Sequence, residues 1–156
     1  MNDILLIIFL SLAPVAELRA GIPYGIFVAD LPLLAVVLVS VVSNILVAPL
    51  SYAVLYFAER MFRRFAFFDR FWSSTVLHSQ RKVHHYVEKY GLLGVALFIG
   101  VPLPGTGVYT AAIGAYALGI PFRKFFIASV IGVLIAAAAV TLISLFGEGV
   151  WLWFIR

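Results

Sequence analysis

The sequence predicts an all-α integral membrane fold, and three observations support it. Of 156 residues, 64% are apolar and 12% are charged, with a mean hydropathy of +1.11. A soluble domain carries about 25% charge, so this chain lacks the polar surface to face water on every side. Four apolar blocks cover residues 4–29, 31–58, 91–118 and 122–146, and the charges gather between them or at their breaks.

The first block follows Met1-Asn2-Asp3. A secretory leader wants a positive start and a small-residue cleavage site. Asp3, Glu17 and Arg19 occupy those places instead, so the block is expected to belong to the mature fold. Its middle holds Pro14, Glu17, Arg19, Gly21 and Pro23. Proline removes a backbone donor and clashes with the preceding turn. The block therefore reads either as one kinked spanning helix or as two short helices around an unwound joint, a re-entrant hairpin over 1–30.

The second block, assigned as a spanning helix over 31–58, has no charge from Leu33 to Phe57. Roughly 20 apolar residues cross a bilayer, so its length suffices. The third block is broken at Pro102-Leu103-Pro104-Gly105-Thr106-Gly107. A run so rich in proline and glycine cannot continue a helix, and a hairpin over 91–119 is favoured over a kinked span. The fourth block, a spanning helix over 121–147, is uncharged from Phe125 to Gly147.

Charge placement argues independently. The stretch 59–90 carries Arg60, Arg63, Arg64, Arg70, Arg81, Lys82 and Lys89, which by the positive-inside rule makes it cytoplasmic. A third block that spanned would leave Arg123 and Lys124 outside; one that enters and returns keeps them inside. The same logic places both termini outside.

An internal repeat emerges when Pro14 is set against Pro102 with one inserted residue. Leu31-Pro32 then meets Ile120-Pro121, and Ser40-Val41-Val42-Ser43 meets Ser129-Val130-Ile131-Gly132. With the charge placement, the second half has the opposite orientation. The expectation is an inverted repeat, 1–58 against 91–148, in a single membrane domain; broken helices meeting near the midplane are a recurring transporter architecture. Small residues at helical spacing (Gly21, Gly25, Ala29; Gly107, Ala111, Ala115, Gly119; Ala128, Gly132, Ala136) supply packing strips, and such strips suit a homodimer equally.

In the linker 59–90, Phe62, Phe65, Phe67, Phe68, Phe71 and Trp72 alternate with arginines, the composition of an amphipathic helical segment lying in the membrane interface. His78, His84 and His85 share no helical face, so no metal is expected. The net charge of +4 belongs to this linker more than to a nucleic-acid surface, and no nucleic-acid partner is expected. With no cysteine there are neither disulfides nor thiolate metal sites.

Ionisable residues at membrane depth are functional candidates by default. Glu17 and Arg19 come first. The functional reading has Arg19 attracting an anionic group while Glu17 exchanges a proton; the structural one is an ion pair or snorkelling side chains. In the second joint Thr106, Tyr109 and Thr110 offer hydroxyls, and backbone groups freed around Pro102, Pro104, Gly105 and Gly107 suit an anion or a cation. Ser40 and Asn44 share a face of the first spanning helix and need partners in hydrocarbon. No nucleophile–base pair, metal-ligand spacing or phosphate loop stands out, so neither an enzyme nor a cofactor is expected.

The motif Glu17-Leu18-Arg19-Ala20-Gly21-Ile22-Pro23, with Pro102 to Gly107 before Tyr109-Thr110, resembles the small multidrug export protein family. Glu88-Lys89-Tyr90-Gly91, Pro104-Gly105, Gly114 to Gly119 and Phe125 also look like the wider DedA/VTT (SNARE-associated) superfamily. The resemblance implies two re-entrant hairpins facing each other as inverted repeats in the cell membrane. It further implies proton-coupled movement of membrane lipid or another amphipathic anion, with Glu17 and Arg19 matching the first-hairpin motif. Where that superfamily places arginines around Pro-Gly, this chain has Gly100-Val101 and Thr106-Gly107. Uncoupled lipid scrambling, small-molecule export and a non-transporting assembly role stand as alternatives.

Overall fold

The computed structural model describes residues 3–14, 16–62, 91–103 and 105–155, and among them every regular element is α-helical. Helix α1 covers Asp3–Leu12 and α2 Leu18–Phe27, followed by the long α3, Leu33–Phe62. The second half runs α4, Leu92–Gly100, α5, Val108–Ala117, and the long α6, Phe122–Ile155. The linker from 63 to 90, with its histidines and most of its aromatic–arginine run, and Pro104 lie outside the described residues.

The four short helices have 9 or 10 residues each. At 1.5 Å per residue each reaches about 15 Å, half of a ~30 Å hydrocarbon layer. The long helices, of 30 and 34 residues, are ample for a crossing. They also run past the ends expected at 58 and 147, because nothing in those residues breaks a helix. The first joint is shorter than its proline pattern predicts. Helical structure resumes at Leu18, so Arg19 and Gly21 are in α2 and Pro23 lies inside it. Pro23 loses one backbone bond there, a cost membrane helices tolerate when neighbours re-satisfy the freed carbonyl. Pro49 sits inside α3 in the same way.

The burial pattern is inverted relative to a soluble bundle. Helix α3 exposes Leu34, Leu38, Val42, Leu46, Leu50, Val54 and Phe57, while its buried positions include Ser40, Ser43, Asn44 and Ser51. Helix α6 likewise exposes Ile127, Leu134, Leu142, Ile143 and Phe146 and buries Ser129 and Ser144. Water would reward the opposite arrangement. Hydrocarbon rewards this one, because a hydroxyl or amide finds partners only inside the bundle.

Packing interleaves the two halves. Helix α1 rests on α2 and α3, and α4 lies along α6; across the halves α2 packs on α6, α5 on α3, and α3 along α6. The small-residue strips are used within this chain. A Cβ on Gly132 would stand 2.7 Å from the Ala96 carbonyl, so glycine sets how closely α4 approaches α6. On the other flank Tyr52 of α3 donates to the Ile120 carbonyl at 2.6 Å and stacks on Phe125. Beside it lies a lateral groove of about 370 Å³ lined by Pro49, Tyr52, Tyr56, Phe57 and Phe122.

Candidate functional site

Each broken segment leaves helix ends without intrahelical partners: donors at the start of the second half-helix, acceptors at the end of the first. In water these would be solvated. In the bundle they must be met by side chains, and the structure meets them mostly from the opposite half.

Glu17 is the N-cap of α2, at φ 48 and ψ −155. This backbone region is essentially glycine's, and holding a non-glycine there costs about 1–3 kcal/mol. The strain aims the side chain away from its own helix and towards α5. Oε1 accepts the Val108 N–H at 3.0 Å, the Tyr109 N–H also reaches the carboxylate, and the residue is 4% exposed. A carboxylate from the first joint therefore caps the positive end of α5, where the helix dipole favours an anion. Gly107 makes room for it. A Cβ there would stand 2.6 Å from both carboxylate oxygens, and its φ of +135 is itself a glycine conformation.

Arg19, one half-turn further, supplies the opposite sign to the opposite end. Its guanidinium donates to the Leu103 carbonyl, to the Val101 carbonyl at 3.3 Å, and to Thr106 Oγ1 at 2.8 Å. Val101 is the C-cap of α4, so the arginine sits where the dipole is negative. Thr106 Oγ1 also reaches the Val101 and Leu103 carbonyls at 2.7 Å each. The two charges attract one another, yet the backbone groups they bond belong to the second joint. Around Gly107 and the turn over 101–106 the charged groups in contact are the Glu17 carboxylate and the Arg19 guanidinium.

The exchange runs both ways. Tyr109 of α5 donates its hydroxyl to the Leu12 carbonyl at 2.6 Å, closing the end of α1. Asn44 Nδ2 donates to the Ser11 carbonyl at 3.0 Å, and its amide also reaches the Glu17 carboxylate. Ser40 is fully buried on the same face of α3.

Of the expected site residues, Glu17, Arg19, Asn44, Thr106 and Gly107 converge on the crossing, with Pro102 and Gly105 in the chain break beside it. Thr110 is half-buried in the first turn of α5, and Pro23 belongs to α2. Sequence reading gave no weight to Ser11 and left Tyr109 among several hydroxyls. Their only signal is position, Ser11 in the last turn before a break and Tyr109 in the first turn after one. Among the described residues no group of histidine, cysteine and carboxylate side chains is placed to hold a metal.

Residues 17–139 match the protein family described as "Putative small multi-drug export protein". No curated protein and no solved structure matches the chain.

Proposed function

The chain belongs to the putative small multi-drug export protein family, and from that premise we propose that it is an integral membrane transporter whose gate is the crossing of its two broken segments. The substrate class is a membrane lipid or another amphipathic anion, moved across or between leaflets of the cell membrane with proton coupling at Glu17. The observation that carries this reading is the reciprocal capping. Two charges, Glu17 buried and Arg19 half-buried, each sit on the helix end of the other half that their sign favours.

A lock of this kind opens in steps set by its own chemistry. Protonated Glu17 is a weaker acceptor for the α5 N-terminus and loses its attraction for Arg19. Arg19 is then able to exchange three neutral oxygens for an anionic head group, to which a guanidinium binds more strongly. Departure of the anion and of the proton restores the caps. Half-membrane helices meeting end to end suit two re-entrant hairpins arranged as inverted repeats, with the basic linker cytoplasmic and the termini outside; the superfamily resemblance fits that arrangement.

The test is leaflet exchange of fluorescent phospholipid and polyprenyl phosphate by purified protein in liposomes, with and without a pH gradient. Exchange that follows the gradient and is lost in Glu17→Gln and Arg19→Ala is expected. Normal exchange by both variants refutes the proposal. Exchange that ignores the gradient assigns an uncoupled scramblase, and no flux from the purified protein, together with a stable partner in pull-downs, assigns a non-transporting assembly role.

A further inference from the structure

Beside the crossing, three buried oxygens have no hydrogen-bond partner: Ser11 Oγ, Ser40 Oγ and Asn44 Oδ1. Ser11 and Ser40 are 0% exposed and Asn44 is 1% exposed. Orphaned polar atoms are uncommon in interiors, and three on facing helices form a group. Both hydroxyls surround the missing side chain of Gly21, since a Cβ there would stand 2.3 Å from Ser11 Oγ and 3.2 Å from Ser40 Oγ. The hydroxyls therefore lie no further apart than those two distances together. Asn44 lies one turn beyond Ser40 and joins the group to Glu17 through its amide.

The second half shows what Ser40 forgoes. Ser129 stands eight residues after Pro121, as Ser40 stands eight after Pro32, and it satisfies itself by donating to the Phe125 carbonyl at 2.9 Å. Ser40 has the same option on its own helix and makes no such bond.

We propose that Ser11 Oγ, Ser40 Oγ and Asn44 Oδ1, next to the Glu17 carboxylate, form a binding site for a small hard monovalent cation of the sodium class. The sign follows from the surroundings. Ser11 stands in the last turn of α1, the negative end of that helix, and the Glu17 carboxylate lies against Asn44, so these surroundings favour a cation over an anion. Neutral hydroxyl and amide oxygens are the donors that hard cations take. Arg19 offsets the Glu17 charge, which leaves too little negative charge to hold a divalent ion. Carbonyl-bearing ends of broken half-helices are a recurrent place for such ions in transporters.

The site rests on the transport reading and deepens it by placing a second ion, besides the proton at Glu17, next to the gate, but binding itself is measurable without transport. Equilibrium binding of radioactive sodium to the detergent-purified protein is expected to be saturable and to be competed by unlabelled sodium but not by choline. Replacing groups that merely orient a metal ligand costs about 10- to 100-fold in affinity, so the double variant Ser11→Ala/Ser40→Ala is expected to lose at least that much. Ser129→Ala is expected to bind as the parent does. Melting in sodium chloride against choline chloride gives a second readout. The parent is expected to melt higher in sodium, and the double variant equally in both salts. If the hydroxyls are only orphans, their removal leaves stability level or raises it in either salt. No saturable sodium binding by the parent, or unchanged binding by the double variant, overturns the site. Binding that is intact while lipid exchange is absent overturns the transport reading and leaves the site standing.

Discussion

Gly107→Ala is expected to be among the most damaging single-methyl additions in the chain. Two costs add at this position. A φ of +135 suits glycine, and forcing alanine into it costs about 1–3 kcal/mol. The new Cβ also stands 2.6 Å from Oε1 and Oε2 of Glu17, inside contact distance for both. The carboxylate must then leave the Val108 N–H, and losing a hydrogen bond to a charged group costs about 1.5–3 kcal/mol. Together these give roughly 2.5–6 kcal/mol, a large share of the 5–15 kcal/mol by which folded proteins are typically stable. Thermal unfolding in detergent, followed by tryptophan fluorescence, should show a melting temperature lower by on the order of 10 °C. A double-mutant cycle with Glu17→Ala separates the two costs. With no carboxylate to displace, Gly107→Ala should retain only its backbone strain, giving a coupling of about 1 kcal/mol or more. A parent-like melting temperature, or strict additivity in the cycle, would refute the fitting of Glu17 against Gly107.

Arg19→Lys should not rescue Arg19→Ala in lipid exchange, because one ammonium cannot span the Val101, Leu103 and Thr106 oxygens that a planar guanidinium reaches; comparable flux in Arg19→Lys and the parent would contradict this. Tyr109→Phe removes the bond to the half-buried Leu12 carbonyl and should lower stability by about 0.5–1.5 kcal/mol, the net worth of one hydrogen bond, as read by unfolding in detergent. Single cysteines at Asp30 and Arg123 should react with an impermeant thiol reagent from opposite sides of the membrane, and labelling from one side would sink the inverted arrangement. The chain has no cysteine of its own to confuse that readout.

How much was legible in the sequence differs from element to element. Helices α3 and α6 were plain, because long uncharged apolar runs leave the backbone one way to satisfy itself in lipid. The break at Pro102 to Gly107 was equally plain from its composition. The first break is shorter than its prolines predict. Pro23 reads as a breaker but is carried inside α2, since a single proline costs one hydrogen bond that neighbouring helices can offset. Glu17 and Arg19 stand out in the sequence because charge inside an apolar segment is costly, and the structure holds both at the second joint. Their targets were not, since a residue's type carries no record of which distant helix end it will meet.

By itself, then, the sequence determined the solvent and the parts: a bilayer protein with two long apolar helices, two interrupted segments, charges in one interruption and hydroxyls in the other. Tertiary structure decided the wiring. An ion pair within the first joint was a natural reading of Glu17 and Arg19, and the fold instead sends them to opposite helix ends of the second joint, 82 to 91 residues away. The reason is that hydrophobic patterning is a local property of the chain, whereas a free helix terminus is satisfied by whichever polar group packing brings within 3 Å or so.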